Sequence, residues 1–174
     1  RMRILNVAYQ QLRRYGQTRV SWAQKLMFGL IKNDHYTVSF SDRDVAAFEA
    51  PLGIRDLGRK KANQRLLEMT KAVEPDLVIA GHCDIITNET LQAIKKQNPH
   101  CRIAHCNNDP LFVPSNVERI KHRASVVDAI FISTGRRELK MFEGLSARVY
   151  HMPNPVDASV ENLNNAIRTD LPID

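Results

Sequence analysis

The chain has 174 residues, of which 43% are apolar and 25% are charged. This length and composition fit one globular domain with its own core, and they exclude collagen-like, low-complexity and disulfide-scaffold proteins. Lys and Arg outnumber Asp and Glu by 25 to 19, which gives a net charge of +6 and favours anionic partners. The basic residues fall in groups, most of them on predicted helices, so solvated helix faces are the competing explanation.

The cysteine content and the lack of a signal sequence predict a protein of the reducing cytoplasm. The apolar run at 4–8 is too short for a signal peptide core or a membrane span. Cys83, Cys101 and Cys106 contain no Cys-x-x-Cys pair, and period-two alternation would point the last two to opposite faces of one strand. We therefore expect buried thiols and no metal site.

Apolar runs of strand length alternate with helical patterns along the chain. The predicted strands cover 3–8, 36–41, 76–81, 101–106, 128–133 and 147–152. The predicted helices cover 19–32, 56–73, 88–97, 115–125 and 136–143, whereas 42–55 is expected to be irregular. These repeats predict an α/β fold, a Rossmann-like doubly wound parallel sheet of about six strands with helices on both faces.

Ligands of such sheets bind beyond the carboxyl ends of the strands. Four loops therefore hold the candidate site residues. They offer Tyr9, Gln10, Arg13, Arg14 and Gly16 after the first strand, Gly81, His82 and Asp84 after the third, Asn107, Asn108 and Asp109 after the fourth, and Ser133 and Thr134 after the fifth.

Two of these loops carry groups with a specific chemistry. His82 follows a glycine at the end of the clearest buried strand, where an imidazole can titrate near neutrality. It is interpreted either as a general base or ligand-binding group, or as a residue that only caps the strand end. Asn107, Asn108 and Asp109 suit a hydroxyl-rich ligand, but they are also ordinary turn residues before a proline.

Arg13 and Arg14 beside Gly16 have the chemistry to grip a phosphate, with surface solvation as the competing account. The seven glycines form no Gly-x-Gly-x-x-Gly fingerprint, and the sequence contains no Walker loop and no Gly-x-Ser-x-Gly elbow. Dehydrogenases, P-loop proteins and hydrolases are therefore disfavoured. Aromatic residues are few and scattered, so no nucleic-acid partner is expected.

The most specific motif lies near the end of the chain. The segment STGRRELKMFEGLSARVYHMPNPVD at 133–157 resembles the segment that closes the N-terminal domain of GT-B glycosyltransferases. In that family a Pro-Asn-x-Val-Asp turn forms the interdomain hinge, and here PNPVD occupies 153–157 with Pro155 in place of the common glycine. The opening MRILNV and the stretch PDLVIAGH at 75–82 are also similar, and the closest sub-pattern is that of the spore-maturation-protein-like glycosyltransferases.

This resemblance implies that 1–152 is the acceptor-side half of a glycosyltransferase, that 153–174 is an interdomain connector, and that the donor-binding second domain is absent from the chain. Such an enzyme transfers a sugar from a nucleotide-sugar donor to a glycan or another hydroxyl acceptor, without a further cofactor. The implied setting is bacterial envelope polysaccharide synthesis, in the cytoplasm or at the inner face of the plasma membrane, where basic groups would meet anionic lipid.

The resemblance also assigns roles to the candidate residues. On an inverting route His82, Asp84 and Asp109 are the candidates for the general base, in that order, and on a retaining route they would bind substrate instead. The isolated chain is expected to be inactive as a transferase. The alternative is a stand-alone Rossmann-like binding or regulatory domain for a small anionic metabolite.

Overall fold

The computed structural model describes residues 1–13, 15–17, 19–161 and 169–170. Within these residues six parallel strands form the main sheet: β1 (Arg3–Val7), β4 (Tyr36–Phe40), β5 (Leu77–Ala80), β6 (Arg102–Asn107), β7 (Ala129–Ile132) and β8 (Arg148–His151). A small antiparallel hairpin, β2 (Leu12–Arg13) and β3 (Gly16–Gln17), lies in the loop after β1. The predicted α/β fold with a parallel sheet is confirmed.

The order of the strands decides where the loops meet. The main sheet runs β4-β1-β5-β6-β7-β8, so the chain leaves β1 toward one edge and then returns to β5 on the other side of β1. Strand order therefore reverses between β1 and β5, and the loops after these two strands diverge above the sheet. Val7 stands opposite both Phe40 and Ala80 in the ladder, which brings the carboxyl ends of the three strands level.

Helices cover both faces of the sheet. They are α1 (Trp22–Lys32), α2 (Asp42–Glu49), α3 (Arg55–Val73), α4 (Asn88–Gln97) and α5 (Pro114–Ala124). On one face α1 packs Trp22, Leu26 and Leu30 against Ile4 and Ile79, and on the other face α2 to α5 enclose the larger core. No helix in the part of the chain that the structure describes is long and apolar enough to cross a membrane.

Two predicted segments differ from the observed ones. The prediction of an irregular segment at 42–55 is wrong, because α2 and a 3-10 turn (Pro51–Gly53) occupy most of it. The signal was present, since Asp42 and Asp44 are acidic residues of the kind that favour the first turn of a helix. The helix predicted at 136–143 is a 3-10 helix, Arg136–Phe142.

The short helix α2 depends on close packing against α3. Gly58 in the first turns of α3 meets the backbone of Ala46 so closely that a Cβ at position 58 would lie 1.8 Å from the Ala46 carbonyl oxygen. Only glycine permits this approach, because the obstructing atoms belong to the backbone and no side chain can move aside. The absence of a side chain at Gly58 therefore allows α2 and α3 to pack at this distance.

We expect Gly58→Ala to destabilise the fold by about 1–3 kcal/mol or more, because α2 and α3 must separate to admit the methyl group. Gly29→Ala is the matched control, since Gly29 lies inside α1 and, apart from the adjoining backbone of its own helix, no atom lies within 4 Å of its added Cβ. That control should raise stability by up to about 1 kcal/mol through helix propensity. Chemical denaturation of the three proteins measures both effects, and equal midpoints would contradict the packing argument.

Candidate functional site

A crevice of about 430 Å³ opens at the carboxyl edge of the sheet, where the loops after β1, β5 and β6 meet the first turns of α1 and α2. The residues that matter for its chemistry are Tyr9, Trp22, Arg43, His82, Asn108 and Asp109. A larger cleft of about 500 Å³ lies at the opposite edge, beside Arg3, Asp76 and His100. The carboxyl edge is the better candidate, because strand order reverses there and a histidine and an aspartate meet there.

Gly81, a predicted binding residue, does not line the crevice but joins β5 to His82, which does. The Gly81 N–H donates to the Val7 carbonyl at 2.9 Å, and a Cβ at position 81 would lie 3.0 Å from the Cβ of Ala8. The absence of a side chain therefore lets the loop after β5 press against the end of β1. This contact fixes the position of His82, the next residue, relative to the end of β1.

The His82–Asp109 pair is the central feature of the crevice. His82 Nδ1 lies 2.5 Å from Asp109 Oδ2, and each side chain is about one-third exposed, at 32% and 30%. An ionised Asp109 can only accept, so Nδ1 of a neutral His82 donates this hydrogen bond. Nε2 then carries the free lone pair, and the ring is oriented as a base by its carboxylate partner.

Asp109 is itself held from two sides. Arg119 of α5 donates from Nη2 to the same Oδ2 at 2.6 Å, and also to Asn107 Oδ1 at 3.2 Å. Asn107 is buried and donates from Nδ2 to the Asp109 carbonyl at 3.0 Å. Asn107 thus holds the loop in place, whereas the exposed Asn108 lines the crevice. Asn107 thus fits the turn interpretation, and the binding interpretation stays a prediction for Asn108.

Asp84 is turned toward a cation outside the His82–Asp109 pair. Its Oδ1 accepts from Arg43 Nε at 2.8 Å, and the Arg43 guanidinium lies 5.2 Å from the centre of the Tyr9 ring. Burial opposes ionisation of Asp84, but the hydrogen bond and charge of Arg43 hold its pKa below the ordinary value. Asp84 does not line the crevice, so its geometry suits a structural anion better than a base.

The loop after β1 is held by buried polar groups. The Gln10 N–H donates to Ser41 Oγ at 2.9 Å, and that hydroxyl donates to Asp44 Oδ2 at 2.5 Å. Asp44 also accepts from the Leu12 N–H at 2.9 Å. Gln10, predicted as a binding residue, is buried below the crevice and supports the loop, while Tyr9 lines it.

Four predicted binding residues lie away from the crevice: Arg13, Gly16, Ser133 and Thr134. Arg13 and Gly16 belong to the exposed β2–β3 hairpin, where Gly16 adopts a φ of 112°. Ser133 follows β7 and is joined to β6 through its backbone N–H. Arg14 lies outside the described residues.

A buried arginine fixes the loop that carries His82 and Asp84. Arg123 of α5 donates to the carbonyls of Cys83, at 2.9 Å, and Ile86, and to Asn88 Oδ1 at 2.7 Å. Its three partners are neutral, so the cation is satisfied by dipoles alone. Neither Arg119 nor Arg123 stood out in the sequence, because their spacing on α5 is that of any solvated basic helix.

The three cysteines are free and buried, as predicted. Burial raises the pKa of Cys83 and of Cys106 to about 12, so neither is a nucleophile near neutrality. Burial also raises the pKa of Cys101, to about 11. In the part of the chain that the structure describes, no three His, Cys, Asp or Glu side chains are grouped so that they could hold a metal ion.

Asp42 is a second unusual carboxylate beside the crevice. It begins α2, is fully buried, and neither of its side-chain oxygens has a hydrogen-bond partner of ordinary geometry. Burial raises its pKa to about 6, and the charge of Asp84 adds to this shift while the backbone N–H of Arg43 opposes it. This buried state of Asp42 was not predicted, because 42–55 was expected to be irregular.

No protein-family model matches the sequence, and no curated protein matches it at a significant level. The fold alone does not determine a function, because doubly wound sheets serve many chemistries. The crevice and the sequence motifs are therefore the features that bear on the function of the chain.

The state of Asp42 predicts how stability depends on pH. Its folded-state pKa of about 6 lies above the ordinary 3.8, so the protonated carboxyl stabilises the fold below about pH 4. This contribution to the free energy of unfolding, about 3 kcal/mol, is lost as the pH rises through 6. Asp42→Asn should remove this part of the pH dependence, as measured by urea unfolding from pH 4 to 7.

Asp34→Asn is the control for the loss of one carboxylate, because Asp34 is exposed and asparagine tolerates its φ of 61°. It should leave the difference between pH 4 and pH 7 at the wild-type value. A pH profile of Asp42→Asn that parallels the wild-type profile would contradict the assignment of a destabilised carboxylate to position 42.

Proposed function

We propose that this chain is the acceptor-side half of a glycosyltransferase, with the crevice as the acceptor site and His82 as the general base. The observation that carries the proposal is the His82–Asp109 pair at the point where strand order reverses. The motif resemblance at 133–157 is a second, separate support, because it lies in the sequence alone.

The proposed reaction uses Nε2 of His82. An acceptor hydroxyl bound at the crevice gives its proton to Nε2 while its oxygen attacks the anomeric carbon of the donor sugar. The bond from that carbon to the nucleoside diphosphate breaks, and the diphosphate leaves with the electron pair. Asp109 stabilises the imidazolium that forms, and Arg119 keeps Asp109 in place.

The lining of the crevice suits a sugar acceptor. Trp22 and Tyr9 present aromatic surface, against which the C–H face of a sugar ring packs. Asn108 offers an amide that can both donate to and accept from hydroxyl groups. Most of the other lining residues are polar or charged, which suits a ligand rich in hydroxyl groups.

The proposal requires a second domain that binds the nucleotide-sugar. We expect the reading frame that encodes the chain to continue past residue 174 into such a domain, in a bacterial gene for envelope polysaccharide synthesis. A natural stop codon at that position would count against the transferase. It would favour the alternative, a free-standing domain in which Arg43 at the crevice binds a small anionic metabolite.

In the two-domain protein, we expect His82→Ala to lower kcat by at least about a hundredfold with little change in KM, because the base acts only in the transition state. Asp109→Asn should also lower kcat, since an amide no longer imposes the Nδ1–H tautomer. His100→Ala is the matched control, because His100 is exposed at the opposite edge of the sheet. Rates of sugar transfer from a panel of labelled nucleotide-sugars measure all three.

The stereochemistry of the product gives an independent check. A general base at His82 activates the acceptor for direct displacement, so the new glycosidic bond should have the inverted anomeric configuration. Proton NMR of the product reads this configuration directly. Retention, or wild-type turnover in His82→Ala, would eliminate His82 as the base.

The isolated 174-residue chain offers a binding test, since its single tryptophan lines the crevice. We expect neutral oligosaccharides to change the fluorescence of Trp22 in a saturable manner. The dissociation constant should be on the order of 1 mM, because only half of the site is present. The binding-domain alternative predicts instead a response to sugar phosphates or nucleotides. A response confined to those anions would contradict the acceptor site.

A further inference from the structure

The turn between α2 and α3 carries an exposed apolar tip. Phe48, Leu52, Ile54 and Leu57 are 67%, 96%, 50% and 62% exposed, although they lie within ten residues of one another. Single exposed apolar residues are normal on a protein surface, whereas four within ten residues, on a turn and the helix ends beside it, indicate an interaction surface. None of them lines the crevice, so the proposed transferase chemistry does not explain them.

The backbone presents this tip in a fixed shape. Leu52 adopts a φ of 56°, a conformation that costs a branched side chain free energy, and Gly53 follows with a φ of 71°. The Gly53 N–H donates to the Ala50 carbonyl at 3.2 Å, and the Ile54 N–H to the Pro51 carbonyl at 3.3 Å. Because these N–H groups have partners inside the turn, the tip can enter a less polar medium without stripping water from them.

Basic side chains surround the tip. The segment 48–65 contains five basic residues and two acidic ones. Two of the five are held by carboxylate or carbonyl oxygens of the protein, but Arg55, Lys60 and Lys61 are exposed and form no ion pair with the described residues. Leu57, Lys60 and Lys61 follow one another at i, i+3 and i+4, so they share the outer face of α3.

We propose that this apolar-basic tip docks the protein on an anionic lipid bilayer. The tip comprises Phe48, Leu52, Ile54 and Leu57 with Arg55, Lys60 and Lys61. Aliphatic side chains at a turn insert among the acyl chains near the headgroups, and the lysines and arginine bind the anionic headgroups around them. Charge complementarity therefore favours an anionic bilayer, since a neutral bilayer would interact with the apolar side chains of the tip but not with its cations.

Other occupants fit the tip less well. A symmetric dimer through this surface would bring Lys60 and Lys61 close to the same residues of the second copy, and like charges repel there. Nucleic acid would engage the cations, but Leu52, Ile54 and Leu57 are aliphatic and offer no ring for a base to stack on. A lipid surface alone uses both the aliphatic and the cationic groups.

The tip lies on the same edge of the sheet as the crevice. Arg43 in the first turn of α2 lines the crevice, and Arg59 in the second turn of α3 donates to the Asp84 carbonyl at 2.7 Å. Docking would therefore hold the crevice beside the headgroups, where a membrane-borne substrate is concentrated. The inference does not depend on the proposed transferase, because it concerns a different set of side chains.

Sedimentation of the chain with sucrose-loaded vesicles tests the proposal. We expect binding to vesicles of phosphatidylcholine mixed with phosphatidylglycerol, loss of that binding in high salt, and at least about tenfold weaker binding to phosphatidylcholine alone. Lys60→Gln with Lys61→Gln should weaken binding by about 25-fold, at roughly fivefold per lysine. Leu52→Asn should weaken it by at least about tenfold, and asparagine tolerates the φ of this position.

The matched controls are Val156→Asn, at an apolar side chain that is 78% exposed, and the pair Lys96→Gln with Lys121→Gln, at exposed lysines on other helices. These variants should bind the vesicles like the wild type. His82→Ala should also bind them like the wild type, so that vesicle binding is tested separately from the transferase. Absent binding, equal binding to neutral vesicles, or unchanged binding of the tip variants would overturn the proposal. A dimer in analytical ultracentrifugation that Leu52→Asn dissolves would also overturn it, by naming a second copy as the occupant.

Discussion

The contact between the ends of β1 and β5 is the constraint on which the carboxyl edge depends. Parallel pairing places Val7 opposite Ala80, and the missing side chain of Gly81 lets the two outgoing loops touch before they diverge. A crevice forms above that point because the chain has turned in opposite directions on its two sides. His82 stands at its rim, and Asp109, carried by the next strand in the sheet, is brought within hydrogen-bonding distance of it.

The loops of the site are held by buried polar groups in addition to apolar packing, to which the loop after β5 contributes Cys83, Ile85 and Ile86. Arg123 holds the loop after β5 by donating hydrogen bonds to neutral acceptors. The Asp44 carboxylate holds the loop after β1 by accepting hydrogen bonds from Leu12 and Ser41. His105 lies buried under these loops and donates from Nδ1 to the Ala80 carbonyl, and burial lowers its pKa to about 3, so it stays neutral. Asp42, buried beside the crevice without a hydrogen-bond partner of ordinary geometry, is a carboxyl of the kind that clusters at functional sites.

The periodic parts of the chain were predictable, and the short parts were not. The strands and long helices lie within one to three residues of their predicted bounds, because a buried parallel strand and a one-sided helix each leave a pattern that local chemistry produces. Helix α2 was missed since its eight residues are too few for a clear period, and because its place depends on a backbone contact of Gly58 with Ala46, which are twelve residues apart. Because α2 was not predicted, Arg43 was not recognised as a residue that lines the crevice, and Asp42 was not recognised as a buried acid.

The sheet, its helices and the loops in which His82, Asn108 and Asp109 stand follow from the periods of apolar residues and from the rule that ligands bind beyond the strand ends. The tertiary structure selects which of these loop residues meet. It joined His82 to Asp109 and Arg119, tied Asp84 to Arg43, and left Arg13 and Ser133 outside the crevice. The physical reason is that a hydrogen bond depends on ångström-scale distances between residues remote in the chain, and strand order and helix packing set those distances.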